Sequence, residues 1–221
     1  MKQAILWDLD GTLLYTLQDI ANATNATLRA FHLPERSLEE VRSFVGNGAA
    51  QQMRRSAGGE PENFEEIMAF YRAYYPQHCN ETTRPYDGIL ETASQLKANR
   101  WRLAIVSNKP DDATKSLWRA YFPDFDLALG EAPGVARKPA PDMVIRALEQ
   151  LGTQRTGCLH RRLRGGHRHR PGRRDSVYIR LLGIPGRGGA VVRRRHLPVP
   201  DPLGNSRRPG GARPWQMSFT P

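Results

Sequence analysis

Short apolar runs alternate with helical periodicity through the first two thirds of the chain. Residues 4–7 are apolar and run straight into an aspartate-rich turn, which predicts a central parallel strand. The same alternation follows, with strands predicted at 102–107 and 125–129 and helices predicted at 87–98, 111–121 and 141–151. Strands separated by helices imply a parallel sheet with right-handed crossovers, so the predicted fold class is α/β.

A long helical insertion separates the first strand from the rest of the predicted sheet. Residues 17–31 carry apolar side chains at three- and four-residue spacing, which predicts an amphipathic helix. A capping box at residues 37–40 opens a second, short helix. Residues 62–75 predict another helix, which Pro76 should end. We therefore predict that residues 15–83 are helix and loop throughout.

The composition of the chain changes sharply near residue 158. The whole chain of 221 residues has a net charge of +11. Residues 1–158 have a net charge of −2 (18 basic and 20 acidic residues), whereas residues 159–221 contain 15 Arg, 2 Asp and no Lys or Glu. This tail is rich in Gly and Pro, and only 177–182 and 190–192 could form strands. We predict that much of it is irregular.

Cysteine content and hydropathy indicate the compartment in which the protein is expected to work. Cys79 and Cys158 cannot form a disulfide scaffold, which favours a reducing compartment. No apolar run approaches the roughly 20 residues that a membrane span needs, and aspartates interrupt the apolar N-terminus too early for a signal peptide. The sequence therefore predicts a cytoplasmic protein without a membrane partner.

Polar residues follow two of the predicted strands where the ligand of an α/β sheet usually binds. Asp8 and Asp10 follow the first strand, and Ser107 and Asn108 end the next. Two close carboxylates repel each other unless a cation intervenes, and Mg²⁺ with bound phosphate would relieve that repulsion. One carboxylate could then attack phosphorus while the other moves a proton.

Neutral donors and one lysine would complete a phosphate site. Ser107 and Asn108 offer hydrogen bonds to phosphoryl oxygens, and Lys138, in a loop stiffened by prolines, offers a positive charge for the transferring group. The expected partner is a small phosphorylated metabolite.

Three motifs in this order resemble those of the haloacid dehalogenase superfamily of phosphohydrolases. They are Asp8-Leu9-Asp10-Gly11-Thr12-Leu13, Val106-Ser107-Asn108-Lys109 and Lys138-Pro139. The resemblance implies a Rossmann-like core of residues 1–14 and 84–158 with an inserted all-helical cap domain, residues 15–83. Residues 8–14, 45–48 and 85–88 resemble the phosphoglycolate phosphatase branch, which implies a phosphomonoester such as 2-phosphoglycolate as substrate.

The resemblance also implies a role for each site residue. Asp8 would be the nucleophile and a Mg²⁺ ligand, and Asp10 would be the general acid/base and a ligand through its backbone carbonyl. Lys138 would neutralise charge. Phosphate- or substrate-binding residues would be Thr12, Ser107, Asn108, Gly46, Asn47 and Gly48. Tyr15 departs from the branch, in which that position is often acidic.

The superfamily's fourth acidic motif, typically Gly-Asp-x-x-x-Asp, is missing where it should begin after Leu159. The chain instead has no acidic residue until Asp175. Codons written for the tail and read displaced by one base permit the missing motif, the next helix and the last strand. We therefore hypothesise a frameshift near Leu159, which resequencing of the gene would test. Without the fourth motif, Mg²⁺ affinity and turnover should fall.

Two other functions stay open from the sequence. A related enzyme, such as a sugar-phosphate mutase or a pyrophosphatase, would carry the same motifs. A non-catalytic protein with a nucleic-acid-binding tail is a different class, because 15 arginines would bind phosphates non-specifically. The tail lacks lysine and has few aromatic residues among its arginines, which argues against a selected nucleic-acid partner.

Overall fold

Seven strands and seven helices follow one another along the part of the chain that the structure describes. The structure is a computed structural model, which describes residues 3–153, 155–160 and 178–182, with side chains described for residues 4–153. The strands are β1 (Gln3–Trp7), β2 (Leu14–Tyr15), β3 (Arg84–Pro85), β4 (Arg102–Pro110), β5 (Leu127–Glu131), β6 (Arg155–His160) and β7 (Tyr178–Leu182). The helices are α1 (Leu17–Ala30), α2 (Leu38–Phe44), α3 (Ala49–Ser56), α4 (Phe64–His78), α5 (Ile89–Ala98), α6 (Asp111–Tyr121) and α7 (Asp142–Leu151).

The central sheet has the strand order β5-β4-β1-β6-β7. Strands β1, β4, β5 and β6 are parallel, and β7 pairs antiparallel to β6. Trp7 at the end of β1 pairs with Ile105 on one side and Leu159 on the other. From β1 the chain adds β4 and β5 on one side and then crosses back to add β6 on the other side of β1. The strand order therefore reverses at β1, and ligands of such sheets bind at this switch point. The predicted α/β class and Rossmann-like core are confirmed.

The central strands are buried on both faces, which explains their continuous apolar sequence. Side chains alternate between faces along a strand. Ile5 and Trp7 belong to one core cluster, together with residues of α5 and α6. Ala4 and Leu6 belong to a second cluster, together with residues of α7. A run without polar alternation is what a strand covered on both sides requires.

The insertion between β2 and β3 contains α1, α2, α3 and α4. The predicted capping box is present, because Glu40 N donates to Ser37 Oγ across 3.2 Å and Ser37 N donates to Glu40 Oε2 across 2.8 Å. Helix α3 was not among the helices predicted from periodicity. The helices lie where the cap was expected, while the cap boundaries at residues 15 and 83 remain predictions.

Two details of the insertion differ from prediction. Helix α4 continues past Pro76 to His78, so the prediction that Pro76 ends the helix is wrong. Pro76 has no N–H to donate to the carbonyl four residues earlier, and the helix continues only two residues beyond it. Residues 15–83 are also not all helix and loop, because Tyr15 pairs with Arg84 in the small sheet formed by β2 and β3.

One buried carboxylate joins the two ends of the insertion. Asp19, in the first turn of α1, is fully buried. Its side chain accepts hydrogen bonds from the backbone N–H groups of Glu81, Thr82 and Thr83 and from the hydroxyl of Thr82. The carboxylate is thus satisfied by the segment through which the chain leaves the helices, which offsets the cost of burying its charge.

Only part of the tail, residues 159–160 and 178–182, is described by the structure and can be compared with the predictions. Strand β7 confirms a strand within the predicted segment 177–182. The candidate strand 190–192, Asp175 and the expected irregular structure lie outside the described residues, as does most of the segment covered by the frameshift hypothesis. In the described ranges, no helix combines the length and apolar character that crossing a membrane demands.

Candidate active site

The loop after β1 presents the two predicted aspartates at the carboxyl edge of the sheet. Leu9 is fully buried, and its carbonyl accepts the backbone N–H groups of residues 12–14. Three hydrogen bonds to one carbonyl fold the chain into a tight turn. Asp8 and Asp10 flank this anchored leucine and are only partly exposed, at 17% and 20% of their side chains.

Lys138 holds Asp8. Its Nζ donates to Asp8 Oδ1 across 2.8 Å and to the carbonyl of Val106 across 2.7 Å. The backbone N–H of Leu9 donates to the same carboxylate oxygen across 2.9 Å. The loop before α7 therefore brings its lysine onto the carboxylate after β1, although 130 residues separate them in the chain.

A second lysine holds Asp10. Lys109 Nζ donates to Asp10 Oδ1 across 2.8 Å, and the hydroxyl of Thr16 donates to the same oxygen across 2.7 Å. The Lys109 side chain is only 2% exposed, and its Nζ lies 4.7 Å from the centre of the Tyr75 ring. Lys109 belongs to the second sequence motif, and the sequence alone predicts no role for it. The period of two along β4 was the available signal, since it places Lys109 on the same face as Ser107.

Burial keeps the aromatic neighbour of Lys109 uncharged. Desolvation raises the pKa of Tyr75 well above its usual value of 10.0, and the negative charge of Asp10 raises that pKa further. The phenol is therefore neutral at physiological pH, and the ring offers Lys109 only its π face. Asp10 supplies the countercharge for Lys109 among the described residues.

Asn108 links three segments through its side-chain amide. Nδ2 donates to the carbonyl of Lys138 across 2.9 Å and to the carbonyl of Gly46 across 3.2 Å. Oδ1 accepts the backbone N–H of Lys138 across 2.8 Å. The predicted phosphate-binding asparagine thus lies beside Lys138, and its amide hydrogen bonds all go to the protein.

The predicted substrate-facing residues Gly46, Asn47 and Gly48 lie against the loop that carries Lys138. The Arg137 guanidinium donates to the carbonyl of Asn47 across 3.2 Å and pairs with Glu131 at 3.5 Å. Gly48 has a φ of 85°, and a Cβ at this position would lie 2.4 Å from a guanidinium nitrogen of Arg137. A glycine here meets both the backbone and the space requirement.

The two remaining residues predicted to bind phosphate, Ser107 and Thr12, are both buried. Ser107 is 1% exposed, and its Oγ accepts the N–H of Lys109 across 3.2 Å, which leaves its hydroxyl hydrogen to donate elsewhere. The Oγ1 of Thr12 is buried and has no hydrogen-bond partner among the described residues. Such a buried polar atom is an exception that calls for an explanation.

The donor set at the strand ends fits a hard divalent cation in part. Carboxylate and carbonyl oxygens suit Mg²⁺, which usually binds one or two carboxylates and completes its shell with water and substrate phosphate. Within the described side chains, no group of three His, Cys, Asp or Glu residues could hold a metal ion. Leu159 pairs with Trp7, so the next residue, His160 at the end of β6, lies opposite Asp8 in the register of the two strands. No acidic residue follows there until Asp175, so the described residues offer a thin ligand set.

A Rossmann-like core with paired aspartates and a lysine at its switch point, and with helices inserted after its first strand, is compatible with a phosphoryl-transfer enzyme. The chain belongs to the haloacid dehalogenase-like hydrolase family, whose sequence profile matches residues 5–159. It is by family a phosphoric monoester hydrolase, and phosphatases of this family are generally metal-dependent.

The similar proteins point to one branch of that family. The chain is 32% identical over 158 residues to a phosphoglycolate phosphatase of Thiobacillus denitrificans, covering 68% of this chain and 70% of that protein. It is 33% identical over 160 residues to a phosphoglycolate phosphatase of Nitrosospira multiformis, covering 69% and 70%. Among solved structures, a predicted phosphoglycolate phosphatase from Haemophilus somnus 129pt is similar, with a TM-score of 0.62, 29% identity and coverage of 69% and 72%.

Proposed function

We propose that this chain is a Mg²⁺-dependent phosphatase that hydrolyses a small phosphomonoester such as 2-phosphoglycolate through an aspartyl-phosphate on Asp8. The observation that carries the proposal is the Asp8 carboxylate, held by Lys138 at 2.8 Å at the carboxyl end of the central strand. A second carboxylate, Asp10, lies two residues further on in the same anchored loop.

The first half-reaction would transfer the phosphoryl group to Asp8. An Asp8 carboxylate oxygen attacks phosphorus, and the bond between phosphorus and the ester oxygen breaks. Asp10 in its protonated form gives its proton to the departing alkoxide, so that the alcohol leaves neutral. Lys138 and its hydrogen bonds keep the Asp8 carboxylate in one orientation and place a positive charge beside the transferring group.

The second half-reaction would release phosphate. Asp10, now a carboxylate, takes a proton from a water molecule, and the water oxygen attacks the phosphorus of the aspartyl-phosphate. The bond between phosphorus and the Asp8 oxygen breaks, which regenerates the carboxylate and frees inorganic phosphate. Both steps require Asp10 to stay beside Asp8 while its protonation state changes.

Phosphate binding would use the ends of β1 and β4. The Ser107 hydroxyl has a hydrogen to donate to a phosphoryl oxygen, and the buried Thr12 hydroxyl belongs to the same loop as the aspartates. Asn108 would act there by fixing Lys138, because its amide already binds the Lys138 backbone. Gly46, Asn47 and Gly48 would face the rest of the substrate.

Mg²⁺ would be held by the Asp8 carboxylate and the backbone carbonyl of Asp10. When bound, it would neutralise phosphate charge and reduce the repulsion between the two carboxylates. The hard oxygen donors at this edge of the sheet support this assignment.

We propose that the turnover of this chain is reduced relative to its family. The register of β6 puts the chain level with Asp8 at His160, where a further carboxylate would complete the metal site. The residues that follow are basic and glycine-rich, and the family match ends at residue 159. A metal held by fewer carboxylates should bind more weakly.

The nucleophile is tested by Asp8→Asn. Hydrolysis of 2-phosphoglycolate with Mg²⁺ should fall by about three orders of magnitude or more, since the attacking oxygen is lost. The exposed Asp124→Asn is the matched control and should retain the parent rate. Both variants should be made in this chain and in a version with a restored fourth motif after Leu159. An unchanged rate for Asp8→Asn in the restored chain would refute the proposal.

Substrate class is tested separately with the same two chains. A panel containing 2-phosphoglycolate, a sugar phosphate and inorganic pyrophosphate distinguishes a phosphoglycolate phosphatase from a mutase or a pyrophosphatase. The relatives named above support the first. The restored chain should be the more active of the two, and equal rates would remove the argument for impairment.

A nucleic-acid-binding function would depend on the tail rather than on the aspartates. Removing residues 159–221 and measuring retention on nucleic acid at increasing salt separates the two classes. Steep salt dependence that is lost on truncation is expected for non-specific binding by arginines. A sequence preference that survives high salt would favour the non-catalytic alternative.

A further inference from the structure

A buried lysine with no role in the proposed chemistry contacts the proposed general acid/base. Lys109 Nζ lies 2.8 Å from Asp10 Oδ1, and the lysine side chain is 2% exposed. We infer that Lys109 is a positioning residue that holds the Asp10 carboxylate from the protein interior during the reaction. This inference rests on the proposed function, which makes Asp10 the proton carrier.

Hydrogen-bond satisfaction alone does not explain the lysine. The hydroxyl of Thr16 already donates to Asp10 Oδ1 across 2.7 Å. Burying an ammonium group costs free energy unless an anion compensates it. The anion on the described side chains is Asp10, while the Tyr75 ring contributes a weaker cation–π contact from the other side. The positive charge of Lys109 is therefore paired with the Asp10 carboxylate.

The two lysines of the site serve different aspartates. Lys138 contacts Asp8 and the carbonyl of Val106, and Lys109 contacts Asp10 and the ring of Tyr75. Lys109 reaches Asp10 from the carboxyl end of β4, whereas Lys138 reaches Asp8 from a loop. Each carboxylate thus has its own cation, and each can be perturbed without removing the other pair.

Holding Asp10 in one orientation should affect the chemical step more than substrate binding. Misplacing a reacting group by about 1 Å can cost up to about 100-fold in rate. Loss of Lys109 should therefore lower kcat by about 10- to 100-fold and change KM by less than about threefold. The effect should depend on the presence of the Asp10 carboxylate.

Side-chain ammonium NMR of the full chain tests the contact without any need for turnover. The chain has only five lysines, at positions 2, 97, 109, 115 and 138. A buried, paired Lys109 should give a slowly exchanging ammonium signal, which Lys109→Met removes and thereby assigns. Asp10→Asn should shift this signal and leave that of Lys138 in place, and Asp8→Asn should do the reverse. The inference would be overturned if the Lys109 signal did not shift in Asp10→Asn, or if the ammonium hydrogens of Lys109 exchanged rapidly with water.

Double-mutant kinetics test the role through Asp10. With 2-phosphoglycolate and Mg²⁺, Lys109→Met should lower kcat, and Lys109→Arg should recover part of the loss. In an Asp10→Asn background, Lys109→Met should have no further effect. The control Lys97→Met breaks a distant ion pair with Asp126 and should leave kcat unchanged. Independent, multiplicative losses from the two substitutions would contradict positioning.

The two arms separate this inference from the proposed function. If neither the parent chain nor the chain with the restored fourth motif hydrolyses a phosphomonoester while the ammonium signals respond as expected, the proposed function fails and the Lys109–Asp10 pairing stands. If hydrolysis is present but the ammonium signal of Lys109 does not shift in Asp10→Asn, the inference fails and the proposed function stands.

Discussion

The side-chain amide of Asn108 makes two hydrogen bonds with the backbone of Lys138. The amide oxygen of Asn108 accepts the N–H of Lys138 at 2.8 Å, and its amide nitrogen donates to the carbonyl of Lys138 at 2.9 Å. The same nitrogen donates to the carbonyl of Gly46. One side chain thereby fixes the backbone of Lys138 and attaches the first residue of the glycine turn to it.

The first prediction concerns this amide. Asn108→Ala should destabilise the protein by about 1–3 kcal/mol, since each lost hydrogen bond contributes about 1 kcal/mol net. It should also lower kcat, because the backbone under Lys138 loosens. Asn108→Asp keeps the acceptor for the Lys138 N–H but loses both donors, and it should retain the lysine contact only in part.

Urea unfolding and phosphatase kinetics measure both effects. Asn99→Ala is the matched control, because the Asn99 amide is exposed and donates only to the end of its own helix. Equal behaviour of Asn108→Ala and Asn99→Ala would show that the amide bridge contributes nothing.

The second prediction concerns the contact between the glycine turn and Arg137. In Gly48→Ala, the new Cβ would displace the Arg137 guanidinium from the carbonyl of Asn47 and would also strain a backbone with positive φ. The strain should cost about 1–2 kcal/mol. Gly134→Ala shares the positive φ but has open space around its Cβ, so it controls for strain alone.

The two glycine variants should therefore lose similar stability in urea, and only Gly48→Ala should change KM for the substrate. A normal KM in Gly48→Ala would mean that the contact between Arg137 and the turn has no bearing on substrate binding.

The third prediction concerns the close packing of β5 on the start of α6. A Cβ at Gly130 would lie 2.4 Å from the Cα of Asp111 and 2.8 Å from the carbonyl of Lys109, and these backbone atoms cannot move aside easily. Overpacking of this kind costs about 3 kcal/mol or more. Thermal unfolding should show a clearly larger loss for Gly130→Ala than for Gly134→Ala, and comparable losses would contradict the close approach.

The fourth prediction concerns pH. Burial alone would raise the pKa of Asp126, but hydrogen bonds from Leu103 N–H, Arg102 and Lys97 outweigh it and lower the pKa below its usual value of 3.8. A carboxylate with a lowered folded-state pKa stabilises the protein above its unfolded-state pKa. That contribution is lost as pH falls through the folded-state pKa, in the acidic range below about 4.

The difference in free energy of unfolding between the parent and Asp126→Asn should thus be fully developed at pH 6 and shrink toward pH 3. Asp124→Asn, at an exposed position two residues away, provides the baseline. A difference that stays constant over this range would exclude the ionised Asp126 as its source.

Local signals explain what could be predicted. The capping box at Ser37 is a short-range pattern, and it forms as expected. The central strands could be recognised because burial on both faces leaves a continuous apolar run. Asp8 and Asp10 could be placed at the sheet edge because a parallel sheet gathers its strand ends there.

The missed features depend on contacts distant in sequence. Lys109 contacts Asp10 only because β4 lies beside β1, so the alternation along β4 indicates the face on which Lys109 lies but not its partner. Strands β2 and β3 have two residues each and carry no periodicity. Helix α3 has eight residues and no side-chain cap, which is too short a window for a helical repeat to stand out.

The carboxylate of Asp19 has a mechanical consequence for the helices between β2 and β3. The chain enters this segment through α1 and leaves it through residues 81–83, and Asp19 fastens the exit to the entrance. The two ends of the segment are therefore held together at one place, while Asn108 and Arg137 contact it elsewhere at Gly46 and Asn47. Separating the entrance from the exit would break four hydrogen bonds to one buried carboxylate, so we expect the two ends to move together.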